Sequence, residues 1–200
     1  STVNGRGLRH LFQGSALPLS GEHILKSLLP ETLPATFEEL EIPFLSVATE
    51  FFTQKQYVIS QGPLLPAITA SAALPGILRP IEIDDHLLVD GGFVNPLPFD
   101  LLNGKADIVA AIDVSVGPSD PLKRIPALME TIVGSMHIAL ATIVREKLNV
   151  AAPDIFIRPS VGHFRVLDFF EFEDIFAVSR PARDAFKRSC EAAITKWESA

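Results

Sequence analysis

The residues best placed to do chemistry lie in Leu87-Leu88-Val89-Asp90-Gly91-Gly92-Phe93-Val94-Asn95-Pro96-Leu97-Pro98. An apolar run ends on an acid, two glycines follow, and prolines flank the loop beyond. A carboxylate at the carboxyl end of a strand stands where α/β sheets place their ligands. An aspartate with its ordinary pKa of about 3.9 is a weak base at neutral pH, and desolvation at a strand tip raises it toward a useful range. Gly91 and Gly92 would let the chain turn with positive φ and let another group approach closely. Asp90-Gly91 also reads as an ordinary turn after a strand, and on this segment alone both readings stand.

Other groups fit chemistry less well. Asp113 also ends an apolar run and is the main rival acid. His86 precedes Asp90 by four residues, about 13 Å along a strand, too far to be its partner. His137 falls on a helical pattern at the edge of an apolar stripe, where a surface role is expected. His10, His23 and His163 sit in unpatterned or capping contexts. No histidine pair has metal-ligand spacing, and no acidic calcium loop is visible, so neither metal nor cofactor is expected. Cys190 is the single cysteine. Lying among Phe186, Ile194 and Trp197, it reads as a buried small hydrophobe, compatible with a reducing compartment.

These groups need elements to position them. Ser20 is a candidate cap for a helix carrying Ile24, Leu25, Leu28 and Leu29, stopped by Pro30. Thr36 opens a short turn to Leu40. Phe44 to Thr49 predicts a buried strand and Lys55 to Ser60 a second. Pro63 suits the first position of a helix through Ile68 and Ala72, which Pro75-Gly76 ends. Leu78 to Ile83, Asp84-Asp85 and His86 to Val89 predict a hairpin. Asp107 to Val114 is the apolar run of a parallel strand covered on both faces. A long helix falls within 122–148, Asp154 to Arg158 forms another buried strand, and a last helix runs from near Pro181 to Trp197. Alternating apolar strands and helices predict a three-layer α/β domain with a mainly parallel central sheet. It spans residues 1–200, with 1–19 an irregular lead-in.

The chain has 200 residues, 48% apolar and 20% charged, a globular balance with room for a real core. Net charge is −7 and the basic residues are scattered, which argues against a nucleic-acid partner. No lysine-rich run serves to hold an anionic membrane. Ser1 to His10 lacks the apolar core of a signal peptide. Ile125 to Val144 has membrane length but contains Pro126, Glu130, Ser135 and His137. Its apolar residues Ile125, Leu128, Ile132, Met136, Leu140 and Ile143 form one stripe, as in an amphipathic helix. Phe169, Phe170, Phe172 and Phe176 form an aromatic run, read either as core packing or as an acyl-chain or membrane contact.

Several blocks together resemble the patatin-like phospholipase family, over roughly residues 20 to 190. These are Phe37-Glu38-Glu39-Leu40-Glu41-Ile42-Pro43 with Val47-Ala48-Thr49-Glu50; Gly62-Pro63-Leu64 with Ala67 to Gly76; Leu88-Val89-Asp90-Gly91-Gly92 with Asn95-Pro96-Leu97-Pro98; Ala106 to Val114; and Asp154 to Pro159 with Asp168-Phe169. The resemblance implies hydrolysis of a phospholipid or lysophospholipid ester by a Ser-Asp dyad. Asp90 would be the general base, completed by Gly91 and Gly92. The nucleophile of that family sits on a G-x-S-x-G elbow, which does not occur here. Gly14-Ser15-Ala16 lacks a glycine two before the serine, Gly134-Ser135 falls mid-helix, and Ser71 lacks both glycines. Gly5-Arg6-Gly7 has the order of an oxyanion loop, but no strand precedes it. The expectation is that serine and oxyanion loop belong to a missing N-terminal segment or longer parent chain. The implied setting is cytoplasmic, with transient membrane-surface contact. The alternative is a catalytically inactive lipid-binding or interaction domain that kept the fold.

Overall fold

The computed structural model describes residues 20–115, 125–162, 164 and 171–199, which form two compact units dividing after Asn95. Gly5-Arg6-Gly7, His10, Gly14-Ser15, His163 and the Asp168 to Phe170 run lie outside the described residues.

The first unit opens with helix α1, Gly21–Leu28. Ser20 stands at its N-cap without a side-chain bond, and Leu29 leaves in extended conformation ahead of Pro30. A 3-10 turn at Phe37–Glu39 follows. It is tied to the start of helix α2, Leu64–Ser71: Phe37 N–H donates to Gly62 O at 3.1 Å, and Leu64 N–H to Ala35 O at 2.9 Å. Strands β1 (Ser46–Glu50), β2 (Lys55–Ile59), β3 (Ile81–Ile83) and β4 (His86–Asp90) form one sheet in the order β2-β1-β4-β3.

Every pairing in this sheet is antiparallel. Central β1 is buried along its whole length. Ala67 and Ala70 of α2 are fully buried in a core with Leu64, Phe37, Ala48, Ile59 and Leu88. Such small side chains let a helix lie close to a sheet. The β3–β4 turn places Asp84 and Asp85 at φ 50° and 62°, the left-handed pair of a type I′ hairpin, which Asp tolerates.

The second unit holds a 3-10 turn at Phe99–Leu102, strand β5 (Ala110–Ile112), helix α3 (Leu128–Val150), strand β6 (Ile155–Ile157) and helix α4 (Phe172–Glu198). β5 and β6 pair in parallel. Leu97, Phe99, Val109, Ala111 and Val144 form the core, with Leu148 against it. Lys147 of α3 donates to Leu97 O at 2.7 Å and pairs with Asp100, so one cation holds the helix to the 3-10 turn.

Four sequence expectations need correction. Parallel pairing is confined to β5–β6 among the described residues, and the larger sheet is antiparallel, so a mainly parallel sheet is not what they show. The Asp107 to Val114 run is covered on one face: Val109, Ala111 and Asp113 are buried, but Ile112 and Val114 are 49% and 65% exposed. Phe156 on β6 is exposed likewise. The buried side of α3 centres on Val144 rather than on the Ile125 to Ile143 stripe, and Ile125 lies ahead of the helix. Helix α4 begins nine residues before Pro181, which it contains. Acidic Glu173 and Asp174 in its first turn suit the helix's positive end.

Candidate active site

β4 delivers Asp90 to the end of the first sheet. Asp90 lies opposite Ala48 of β1, which in turn lies opposite Tyr57 of β2. Three bonds fix the acid. Its N–H donates to Ala73 O at 3.1 Å. Its carbonyl accepts the Thr49 hydroxyl at 2.8 Å. Its carboxylate Oδ1 accepts the Gly92 N–H at 2.8 Å, capping the 3-10 turn Gly91–Phe93. Among the described residues no donor reaches the other carboxylate oxygen. Burial pushes the Asp90 carboxyl above the ordinary carboxylate range, partly opposed by the Gly92 N–H. Desolvation penalises the charged form and makes the carboxylate a stronger base once ionised.

Neither glycine adopts positive φ, contrary to the conformational reason expected for them. Gly91 answers instead to close approach. A Cβ there would stand 2.1 Å from Val47 O and 2.7 Å from Val47 C, so the turn presses against β1 with room only for hydrogen. Asn95, buried just beyond, donates its N–H to Gly91 O at 2.9 Å and its side-chain amide to Gln56 Oε1 at 2.9 Å.

Asp113, the rival acid, is only 2% exposed and occupied. Burial alone would raise its pKa, but Ser115 and Arg158 together outweigh that and hold it below the ordinary range. Ser115 donates N–H to Oδ1 at 2.9 Å and its hydroxyl to the same oxygen at 2.5 Å. Arg158 donates Nε–H and Nη2–H to Oδ2 at 2.9 and 2.5 Å. Both oxygens are engaged by strong donors, which is the arrangement of a structural ion pair rather than of a base.

The remaining candidates disperse. His86 lies against the Tyr57 ring, centroids 4.7 Å apart. His137 and Cys190 are half-buried on α3 and α4, and Ser135 is exposed on α3. Ser71 closes α2. Phe172 and Phe176 meet edge to face at 6.3 Å but are exposed, so this part of the aromatic run does not pack in a core. Among the described residues no helix is long and apolar enough to cross a membrane. Sequence reasoning missed Thr49 and Ala73 as supports of Asp90. The sequence marked Thr49 only as one of the polar residues, with Ser46 and Glu50, in a buried strand.

The sequence profile of the patatin-like phospholipase family matches residues 4–103, half of the chain. An uncharacterized NTE family protein of Mycobacterium tuberculosis is 37% identical over 106 residues, 52% of this chain and 29% of that protein. Patatin-like phospholipase domain-containing protein 6 of Mus musculus is 26% identical over 196 residues, 84% of this chain and 14% of its own length. A patatin-like phospholipase domain-containing protein of Caenorhabditis elegans is 30% identical over 176 residues, 76% of this chain and 13% of its own. The chain thus spans less than a third of the length of each of these relatives. Its profile match encloses the Thr49, Ala73, Asp90 and Gly91 constellation, and the chain belongs to the patatin-like phospholipase family.

Proposed function

We propose that the chain is the acid-bearing part of a lipid acyl hydrolase that cleaves a carboxylic ester of a phospholipid or lysophospholipid. Asp90 acts as general base. It takes the proton from a serine hydroxyl as that oxygen attacks the ester carbonyl, and returns it to the departing alcohol. The serine and the donors for the oxyanion come from residues outside this chain. The observation that carries the reading is the Asp90 carboxylate itself: desolvated, fixed through Gly92 and through its own backbone, with one oxygen uncommitted among the described residues. Family membership supports lipid as the substrate class.

The test is a fluorophosphonate probe on the full-length protein, with the labelled peptide located by mass spectrometry. Label on a G-x-S-x-G serine outside these residues supports the dyad. No label on the folded protein would favour a lipid-binding domain without turnover. Label on a serine within the 200 residues would displace Asp90 from the centre of the site.

A further inference from the structure

Asn95 is only 7% exposed although it sits in the loop that follows the aspartate. A buried side-chain amide needs partners, or its desolvation goes uncompensated. Its side-chain N–H reaches β2, two strands away from β4, and donates to Gln56 Oε1 at 2.9 Å. Its backbone N–H donates to Gly91 O at 2.9 Å, an oxygen that also accepts the Val94 N–H at 3.2 Å. All of these bonds lie inside the first unit.

Register explains the span. Gln56 lies opposite Thr49 of β1, and side chains directly opposite in an antiparallel pair share one face of the sheet. Thr49 holds the Asp90 carbonyl, and Gln56 holds the end of the turn that follows. Between these two anchors Gly91 presses on Val47 and Ala48 of β1. The segment from Asp90 to Asn95 thus leaves β4, crosses β1 and ends at β2.

The turn carried on this segment supplies the Gly92 N–H that donates to Asp90 Oδ1. It is a 3-10 turn of three residues, Gly91–Phe93. So short a turn has few bonds of its own and poor bond geometry, and its aim depends on what fixes its two ends. Asp90 fixes the first end and Asn95 the second.

We propose that Gln56 and Asn95 are positioning residues for the Asp90 carboxylate. Their side-chain bond fixes the far end of the Gly91–Phe93 turn, and through it aims the Gly92 N–H at Oδ1. It thereby sets which carboxylate oxygen is left to take the serine proton. The role rests on the general-base reading of Asp90; the clamp itself rests on register, burial and hydrogen bonding.

A clamp that acts on a base leaves a signature that a merely structural bond does not. Burial raises the Asp90 pKa and the Gly92 N–H lowers it. A turn that swings away withdraws the lowering bond, so the carboxyl titrates higher still.

The experiment measures ester turnover by the full-length protein on a short-chain p-nitrophenyl ester across pH. It compares wild type, Gln56→Met, Asn95→Ala, the double variant and Asp90→Asn. Gln56 is exposed, so methionine of matching length removes the acceptor and leaves folding intact. Gln56→Met is expected to keep KM, to lower kcat by roughly ten- to hundredfold, and to move the acid limb of the pH–rate profile to higher pH. The double variant should fall no further than Asn95→Ala, since both changes cut one bond. Hydrogen exchange of a peptide covering Gly91 to Asn95, which needs no turnover, should quicken in Gln56→Met while β1 exchanges as in wild type. Wild-type kcat and acid limb in Gln56→Met, additive losses in the double variant, or unchanged exchange of that peptide would overturn the proposal. Retained turnover in Asp90→Asn, or absent serine labelling, removes the general base and this role with it. An unaffected Gln56→Met beside an inactive Asp90→Asn removes the positioning role alone.

Discussion

The Thr49 hydroxyl on β1 donates to the carbonyl oxygen of Asp90 on β4 at 2.8 Å. A side chain of one strand thereby holds the backbone of the next at the residue where the carboxylate leaves the sheet. Thr49 is buried, so Thr49→Val removes the donor without changing the shape much. The expected cost is about 1–2 kcal/mol of stability, read as a lower urea midpoint, together with reduced turnover. Thr49→Ser keeps the hydroxyl and should recover most of both.

Asp90→Asn separates stability from activity. Burial raises the Asp90 pKa in the folded state. The folded protein therefore binds this proton more tightly than the unfolded chain does. That contribution is full below the ordinary carboxylate pKa and is lost as pH rises through the raised folded value. At neutral pH the wild type carries a buried charge that asparagine lacks, while Asn can still accept the Gly92 N–H. Thermal denaturation should show Asp90→Asn at least as stable as wild type. Ester turnover by the full-length protein should fall by about 10²–10⁴-fold, the usual contribution of a general base. The wild-type pH–rate profile should rise through an apparent pKa above the ordinary aspartate value.

Two glycines predict opposite outcomes for the same substitution. Gly91→Ala places a methyl 2.1 Å from Val47 O, and backbone must shift. Overpacking of this kind costs about 1–3 kcal/mol, and here it also moves the Asp90 turn. Gly134 lies within α3 with nothing within 4 Å of an added Cβ. Gly134→Ala should stabilise by about 0.5–1 kcal/mol. Melting temperatures of the two variants should move in opposite directions.

The Asp113–Arg158 pair sets an acid limit. Its lowered folded pKa means that Asp113 contributes stability above the ordinary carboxylate pKa and loses it as pH falls through the folded value. Asp113→Asn should flatten the stability profile in that acid range. Arg158→Gln leaves a buried carboxylate with only Ser115. Removing one partner of a fully buried pair costs about 3–5 kcal/mol, but the guanidinium is half exposed and screened by water, so about 1–3 kcal/mol is expected from chemical denaturation.

Local chemistry made much of this fold legible. Asp84-Asp85 between two apolar runs announced the hairpin because both residues tolerate left-handed backbone. The ends of α1 fall where Ser20 and Pro30 marked them, although Ser20 makes no side-chain cap bond. Asp90 at a strand's end could be read from Leu87 to Gly92 without knowing the strand's neighbours. What the chain order hid was register. Thr49 meets Asp90 only because Ala48 lies opposite it, and Gly91 is glycine because of Val47 across the sheet. The apolar run to Val114 signalled a strand but not which of its faces is covered. Pro181 misleads because proline suits a helix start intrinsically, while the acids that open α4 lie eight and seven residues earlier.

That proline divides α4 mechanically. A 27-residue helix extends about 40 Å at 1.5 Å per residue. Pro181 has no N–H to return to the Ala177 carbonyl, so the hydrogen-bond ladder is interrupted there. The segment before it, with Phe172 and Phe176, is shorter than the length at which an isolated helix sustains itself. Amide exchange should therefore resolve α4 into two cooperative stretches, with the aromatic-bearing one opening first while the stretch toward Trp197 stays closed.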